Sequence, residues 1–151
     1  MTVSLKLTLV LCACFFTFGT TWADWSVDYW LIWTDPALNP NAISNAITYY
    51  QSLHNTPLIH KFVPLVPVLI CVVGLSLGFA EMFDINFLFD GGSLALLLLA
   101  LQVYATTITP GMRIVATSED ETEVVRKLYE IATGHTLIVL AAAGSIWLLF
   151  C

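Results

Sequence analysis

Four stretches of this chain are too long and too apolar to be held in water, and they constrain everything else about its fold. They run from about Leu5 to Ala23, Ile59 to Ala80, Phe89 to Ile108 and Ile131 to Cys151. Crossing about 30 Å of hydrocarbon at about 1.5 Å per helical residue takes about 20 mostly apolar residues, close to the length of each stretch. Inside lipid every backbone N–H and C=O needs a partner from the chain itself, so segments of this kind are helices. Composition agrees. Of 151 residues 58% are hydrophobic and 11% charged, and mean hydropathy is +0.84. A soluble domain carries about 25% charge to solvate its surface. A soluble enzyme and a disordered chain are excluded on that ground, and a formal charge of -6 argues against a nucleic-acid partner. The expectation is an all-α integral membrane protein, one domain over residues 1–151 with four transmembrane helices (about 5–23, 59–80, 89–108 and 131–151).

The first stretch has a competing reading. Lys6, an apolar run and Thr21-Trp22-Ala23 resemble the three regions of a secretory signal cleaved after Ala23. The run is long for a signal, and Trp22 with Trp25 suits the interfacial anchor of a retained helix, which is the reading preferred here. Beyond it lies the longest polar-tolerant segment, Asp24 to Pro57. Its acidic, aromatic first part reads as a loop. Its second part predicts a helix over about 40–54: Asn39 can cap it, Pro40 suits its first position, and Ile43, Ala46, Ile47, Tyr50 and Leu53 recur at helical spacing. Such an amphipathic helix belongs on the membrane surface or on the ends of the other helices, where packing is its plainest role.

The second connection, Glu81 to Asp90, is acidic and rich in Phe. Asp90 is expected to cap the third span, with Gly91 and Gly92 permitting a sharp bend before it. Pro110-Gly111 signals a turn after that span. Ser118-Glu119-Asp120-Glu121 then forms a capping box, and Val124, Val125, Leu128 and Ile131 lead into the fourth span as one long helix.

Cys12, Cys14, Cys71 and Cys151 all fall in apolar stretches, so no loop disulfide is expected; Cys151 has the position, though little else, of an acylation site. No Asn-x-Ser/Thr acceptor exists. Lys6 before the first span and Asp24, Asp28 and Asp35 after it favour cytosolic termini; Lys61, Arg113, Arg126 and Lys127 pull the other way. The first helix usually decides, and cytosolic termini are the reading adopted.

Chemistry is scarce. His54, His60 and His135 show no zinc-helix spacing, and there is no phosphate loop, nucleophile elbow or dinucleotide fingerprint. No catalytic, cofactor or metal residue is expected. The nearest thing to a buried polar constellation is Asp90, Ser93, Gln102, Tyr104, Thr106 and Thr107 on the third helix with His135 on the fourth; packing hydrogen bonds are its ordinary role, an ion path its sharper one. Ala132, Ala141, Ala142, Ala143, Gly144 and Ser145 on the last span permit close helix approach, as do Gly74 and Gly78 on the second, while Pro64 and Pro67 loosen its ladder.

Taken together, AISNAITYYQSLHNTPLIHKF, LFDGGSLALLLLALQVYATTITPGMR and GHTLIVLAAAGSIWLL resemble the fungal endoplasmic-reticulum chaperones that package amino-acid permeases, the "Shr-three" secretory-component family. The most specific positions are Tyr49, Tyr50, Leu53 and Pro57 in the first loop, and Asp90, Gly91, Gly92, Ser93, Tyr104 and Arg113 around the third span; these are the family-motif or client-contact candidates. The resemblance implies a multi-pass protein of the endoplasmic-reticulum membrane, without enzymatic activity. It would shield newly made amino-acid permeases from aggregation and promote their loading into coated vesicles, with vesicle-coat components as further partners. Family members commonly continue into a polar cytosolic tail associated with coat contact. This sequence stops at Cys151, so shielding is expected to survive more readily than coat recruitment. The alternatives are a small structural subunit of a membrane complex and, on Asp90, Gln102 and His135, a transporter component.

Overall fold

The computed structural model describes residues 3–80 and 87–149. Most of the connection at Glu81–Asp90, the terminal Cys151, and the side chains of Lys6, His60 and Phe89 lie outside the described residues. All regular structure among the described residues is helical. In order these are α1 (Val3–Ile32), a 3-10 turn (Pro36–Leu38), α2 (Ala42–His54), α3 (Leu58–Phe62), α4 (Leu65–Ala80), α5 (Phe87–Val103), a π-helical turn (Tyr104–Ile108), α6 (Thr109–Thr117) and α7 (Glu121–Leu149).

Three helical stretches are long and apolar enough to cross a membrane: Leu7–Ile32, Asp90–Thr117 and Glu121–Leu148. The expected fourth, 59–80, differs. Pro64 breaks it into the single turn of α3 and the 16 residues of α4, about 24 Å of helix against about 30 Å of hydrocarbon. Pro64 and Pro67 fall just before and within the first turn of α4, where N–H groups lack intrahelical partners and a proline costs least.

α1, α4, α5 and α7 form a ring in which α1 and α5 each touch both α4 and α7. Neighbours run antiparallel. Val10, Ala13 and Cys14 of α1 share one core with Val68, Cys71 and Leu75 of α4 and Ala142 near the end of α7. Leu31, at the other end of α1, shares a second core with Val124 and Leu128 at the start of α7. α2 and α6 cap that second end, with α2 lying across α1, α6 and α7. The exposed Trp22, Tyr29, Trp30 and Trp33 ring the same end of α1, as side chains with one apolar and one polar edge do at a bilayer surface.

Four sequence expectations are corrected here. The acidic, aromatic segment after Ala23 is not a loop: α1 continues through it to Ile32. Asp90 and the two glycines after it do not lie at a bend; they are already helical, with Asp90 in the first turn of α5, where its charge suits the helix dipole. Pro110-Gly111 makes no turn either. The widened turn at Tyr104–Ile108, in which the Thr109 N–H and hydroxyl both donate to the Tyr104 carbonyl, carries the helix past the proline. Gly111 then lets α6 lie against α7, since a Cβ there would stand 2.8 Å from Cγ1 of Ile131. Finally the cap of α7 is Asp120, whose Oδ1 accepts from the Thr122 and Glu123 N–H groups at 3.0 and 3.4 Å; Ser118 donates to the Glu123 carboxylate instead of capping.

Candidate functional site: a buried carboxylate, tyrosine and histidine network

The continuation of α1 places Asp24 and Asp28 four residues apart, hence on one face of the helix. α2 lies across that face. Its buried set, Ala42, Ala46 and Tyr50, repeats every four residues, and the expected Ile43 points outward at 37% exposure. Tyr49 and Tyr50 follow one another along α2, their rings edge to face at 5.1 Å, and each reaches a different acid. Tyr49 donates to Asp24 Oδ1 at 2.7 Å and Tyr50 to Asp28 Oδ1 at 2.5 Å. From α7, His135 Nδ1 meets Asp28 Oδ2 at 2.6 Å, while its Nε2 stands 3.6 Å from Asp24 Oδ2. The imidazole stacks against the Tyr50 ring. Tyr50 (0%), Asp28 (1%) and His135 (4%) are sealed from solvent, and Asp24 is the member that remains partly open.

Each oxygen of Asp28 therefore has one donor. That satisfaction is what makes burying an acid tolerable, because an ion removed from water must recover its hydration from its neighbours. Burial raises both phenols above the ordinary tyrosine range. The hydrogen bond to Asp24 adds to the effect at Tyr49, and the negative charge of Asp28 adds to it at Tyr50. Both therefore stay protonated and can donate to the acids. The geometry can hold a proton or a positive group. It does not converge as a metal site would, since the two nitrogens of His135 face different carboxylates, and among the described residues no group of three His, Cys, Asp or Glu can hold a metal ion.

Beside the network lies a cavity of about 260 Å³. Thr17, Thr20, Thr21 and Asp24 of α1 line one side; Pro64, Leu65 and Val68 before and within α4, with Leu101 of α5, line another. Tyr49, Leu53, Tyr104 and His135 close it. Tyr104 donates to the Lys61 carbonyl at 3.2 Å, bridging the helical rod of α5 to the turn before the Pro64 break.

Of the residues singled out from sequence, Tyr49, Tyr50, Leu53 and Tyr104 thus meet around one network and cavity. Pro57 stands at the start of α3, away from it. Arg113 is exposed on α6. Asp90, Gly91, Gly92 and Ser93 lie at the opposite end of the bundle, where Ser93 donates to the Ser145 carbonyl at 3.3 Å. The constellation expected on the third helix with His135 does not assemble: Gln102 and Thr106 are exposed, Ser93 pairs with Ser145, and His135 turns to α1. Sequence reasoning misses Asp24 and Asp28 as site residues. Their spacing of four, in helical phase with the first span, is the signal that finds them.

The family model described as ER membrane protein SH3 (SHR3 chaperone) matches residues 1–150. No curated protein and no solved structure matches the chain. With nearly every residue inside that match, the chain belongs to the SHR3 chaperone family of endoplasmic-reticulum membrane proteins.

Proposed function

We propose that this membrane chaperone acts on newly made amino-acid permeases, shielding their spans from aggregation and promoting their loading into coated vesicles. The observation that carries the reading is the family match over residues 1–150. The physical setting suits it. The outward faces of α1 and of the continuous rod from α5 to α6 are largely uncovered, with 28% and 22% of their most apolar stretches buried, so helix surface is on offer to other chains in the bilayer. Without an aqueous phase to drive association, such contacts rest on close packing and on polar groups pairing across helices.

The same reading takes α4, extended by α3, as a fourth span, with both termini cytosolic. Its support is the alternation of direction around the ring, which brings the start of α1 and the end of α7 to one side. Two experiments test the proposal. Affinity capture of the tagged chain from detergent-solubilised endoplasmic reticulum should recover amino-acid permeases in small, transient amounts. Deleting the gene should hold those permeases in the endoplasmic reticulum. A single partner at fixed stoichiometry would point to a structural subunit, and permeases reaching the cell surface normally in the deletion strain would refute the chaperone role.

A further inference from the structure

α1 and α4 close on each other at one end only. There they share a core, Val10, Ala13 and Cys14 against Val68, Cys71 and Leu75. One turn further along α1 the cavity of about 260 Å³ comes between them, with Thr17, Thr20 and Asp24 on one wall and Pro64, Leu65 and Val68 on the other. Ala23 lines this cavity and is itself exposed, so the opening lies at its small side chain and faces sideways from the bundle. Trp22 stands exposed beside it, as indoles do at the depth of lipid headgroups.

The cavity has a charged end and an apolar end. Asp24 and Lys61 both line it, and no ion pair joins the two among the described residues. Two turns of α1 deeper the walls are apolar in effect, because the Thr17, Thr20 and Thr21 hydroxyls all donate to carbonyls of α1 itself. Other polar protons are spent as well: Tyr104 donates to the Lys61 carbonyl, Tyr49 to Asp24, and His135 Nδ1 meets Asp28. A carboxylate has about four acceptor sites, so Asp24 keeps room for a further donor, and Lys61 keeps its ammonium. Lys61 offsets the charge of Asp24, so the lining matches an occupant that is neutral overall and carries both signs. About 260 Å³ falls below the roughly 300–1,000 Å³ that encloses a small molecule, so the occupant is held in part and continues out past Ala23.

We infer that the cavity holds the headgroup of an ethanolamine phospholipid, with its ammonium on Asp24 and its phosphate on Lys61. The start of one acyl chain lies along Leu65, Val68 and Leu101, and the rest of the lipid leaves past Ala23 into the bilayer. A choline headgroup has no N–H to give a carboxylate, and a glycerol headgroup has no cation at all. A free amino acid carries the same two charges but has no need of a side opening at headgroup depth, so the opening decides for lipid.

The test is native mass spectrometry of the full chain in detergent, titrated with phosphatidylethanolamine, phosphatidylcholine or phosphatidylglycerol of identical chains. The ethanolamine lipid should bind about tenfold more tightly than the choline lipid, and the glycerol lipid more weakly than the ethanolamine lipid. Asp24→Asn, which keeps an acceptor for Tyr49, should bring ethanolamine down to the choline level. Lys61→Met should weaken both zwitterionic lipids alike, since both carry the phosphate. Ala23→Leu, at an exposed position, should block the opening and weaken every lipid with an unchanged melting temperature. Equal binding of the three lipids by the wild-type chain would overturn the proposal. So would an ethanolamine preference that survives Asp24→Asn, or binding that neither Lys61→Met nor Ala23→Leu weakens. Displacement of the lipid by free leucine would overturn it too, by assigning the cavity to an amino acid. The assay contains no permease, so its failure removes the lipid site and leaves the chaperone reading, whereas failed permease capture does the reverse.

Discussion

Asp28 and His135 stand 107 residues apart in sequence and 2.6 Å apart in the fold. Their contact joins the end of α1 to the middle of α7, and Tyr50 of α2 completes it on the other carboxylate oxygen. Removing the acid strands two donors in a sealed site. Asp28→Ala is expected to cost about 3 kcal/mol, since two buried donors lose their acceptor at about 1–3 kcal/mol each, whereas Tyr50→Phe, which deletes one donor and leaves His135 in place, should cost about 1 kcal/mol. Thermal unfolding of detergent-solubilised chain, followed by fluorescence, ranks the two variants; equal losses would mean that Tyr50 and His135 do not share the acid.

Alkaline pH offers a second test. Tyr49 and Tyr50 have folded values above the ordinary tyrosine value of about 10, so the unfolded chain gives up these protons first as pH rises. The stability they contribute is whole below about pH 10 and drains away above it. Of 5 tyrosines, these two should ionise only as α2 leaves the bundle, which tyrosinate absorbance and circular dichroism would register together. Their ionisation at the ordinary value, with helicity intact, would contradict the buried network.

Gly111 and Ile131 make a steric pair between α6 and α7. Ile131 is fully buried and has no room to retreat, so Gly111→Val should cost about 2 kcal/mol by overpacking. Adding Ile131→Ala should give back part of that loss, and the double-mutant cycle should show coupling of about 1 kcal/mol. Strict additivity would place the two residues out of contact.

At the start of α7, Asp120→Ala removes the acceptor for two N–H groups and should lower stability by about 1 kcal/mol, while Asp120→Ser should restore most of it. The same thermal assay reads both. Ser118→Ala should be milder, because Ser118 bonds the Glu123 carboxylate and the Asp120 N–H at exposed or half-buried positions and accepts from neither first-turn N–H group that Asp120 caps.

Apolar length alone makes the long helices legible, and Val124, Val125, Leu128 and Ile131 foretell that α7 starts well before its membrane span. The site is half legible. Tyr50 and Leu53 come from helical spacing and Tyr104 from the polar set of the third span, whereas Tyr49 comes from the family resemblance alone. Asp24 and Asp28 stay hidden because two acids after an apolar run lower hydropathy and imitate a loop. Whether α1 continues depends on partners from α2 and α7, and periodicity in one segment does not report partners in another. Pro110-Gly111 fails as a turn signal for a related reason: a π-helical turn just upstream absorbs the proline, and Gly111 serves the contact with Ile131. On α2 the expected stripe holds at Ala46, Ile47, Tyr50 and Leu53, and Ile43 alone turns outward, where close approach to α1 and α6 selects the smaller Ala42 instead.

The join between Asp28 and His135 also sets a timetable for biosynthesis. Translation at about 5–20 residues per second leaves roughly 5–20 s between making the acid and making its imidazole. During that interval Asp28 can gain the hydroxyl of Tyr50, which is made 22 residues after it, but not its imidazole. Emergence of the last helix is the event that locks the molecule shut.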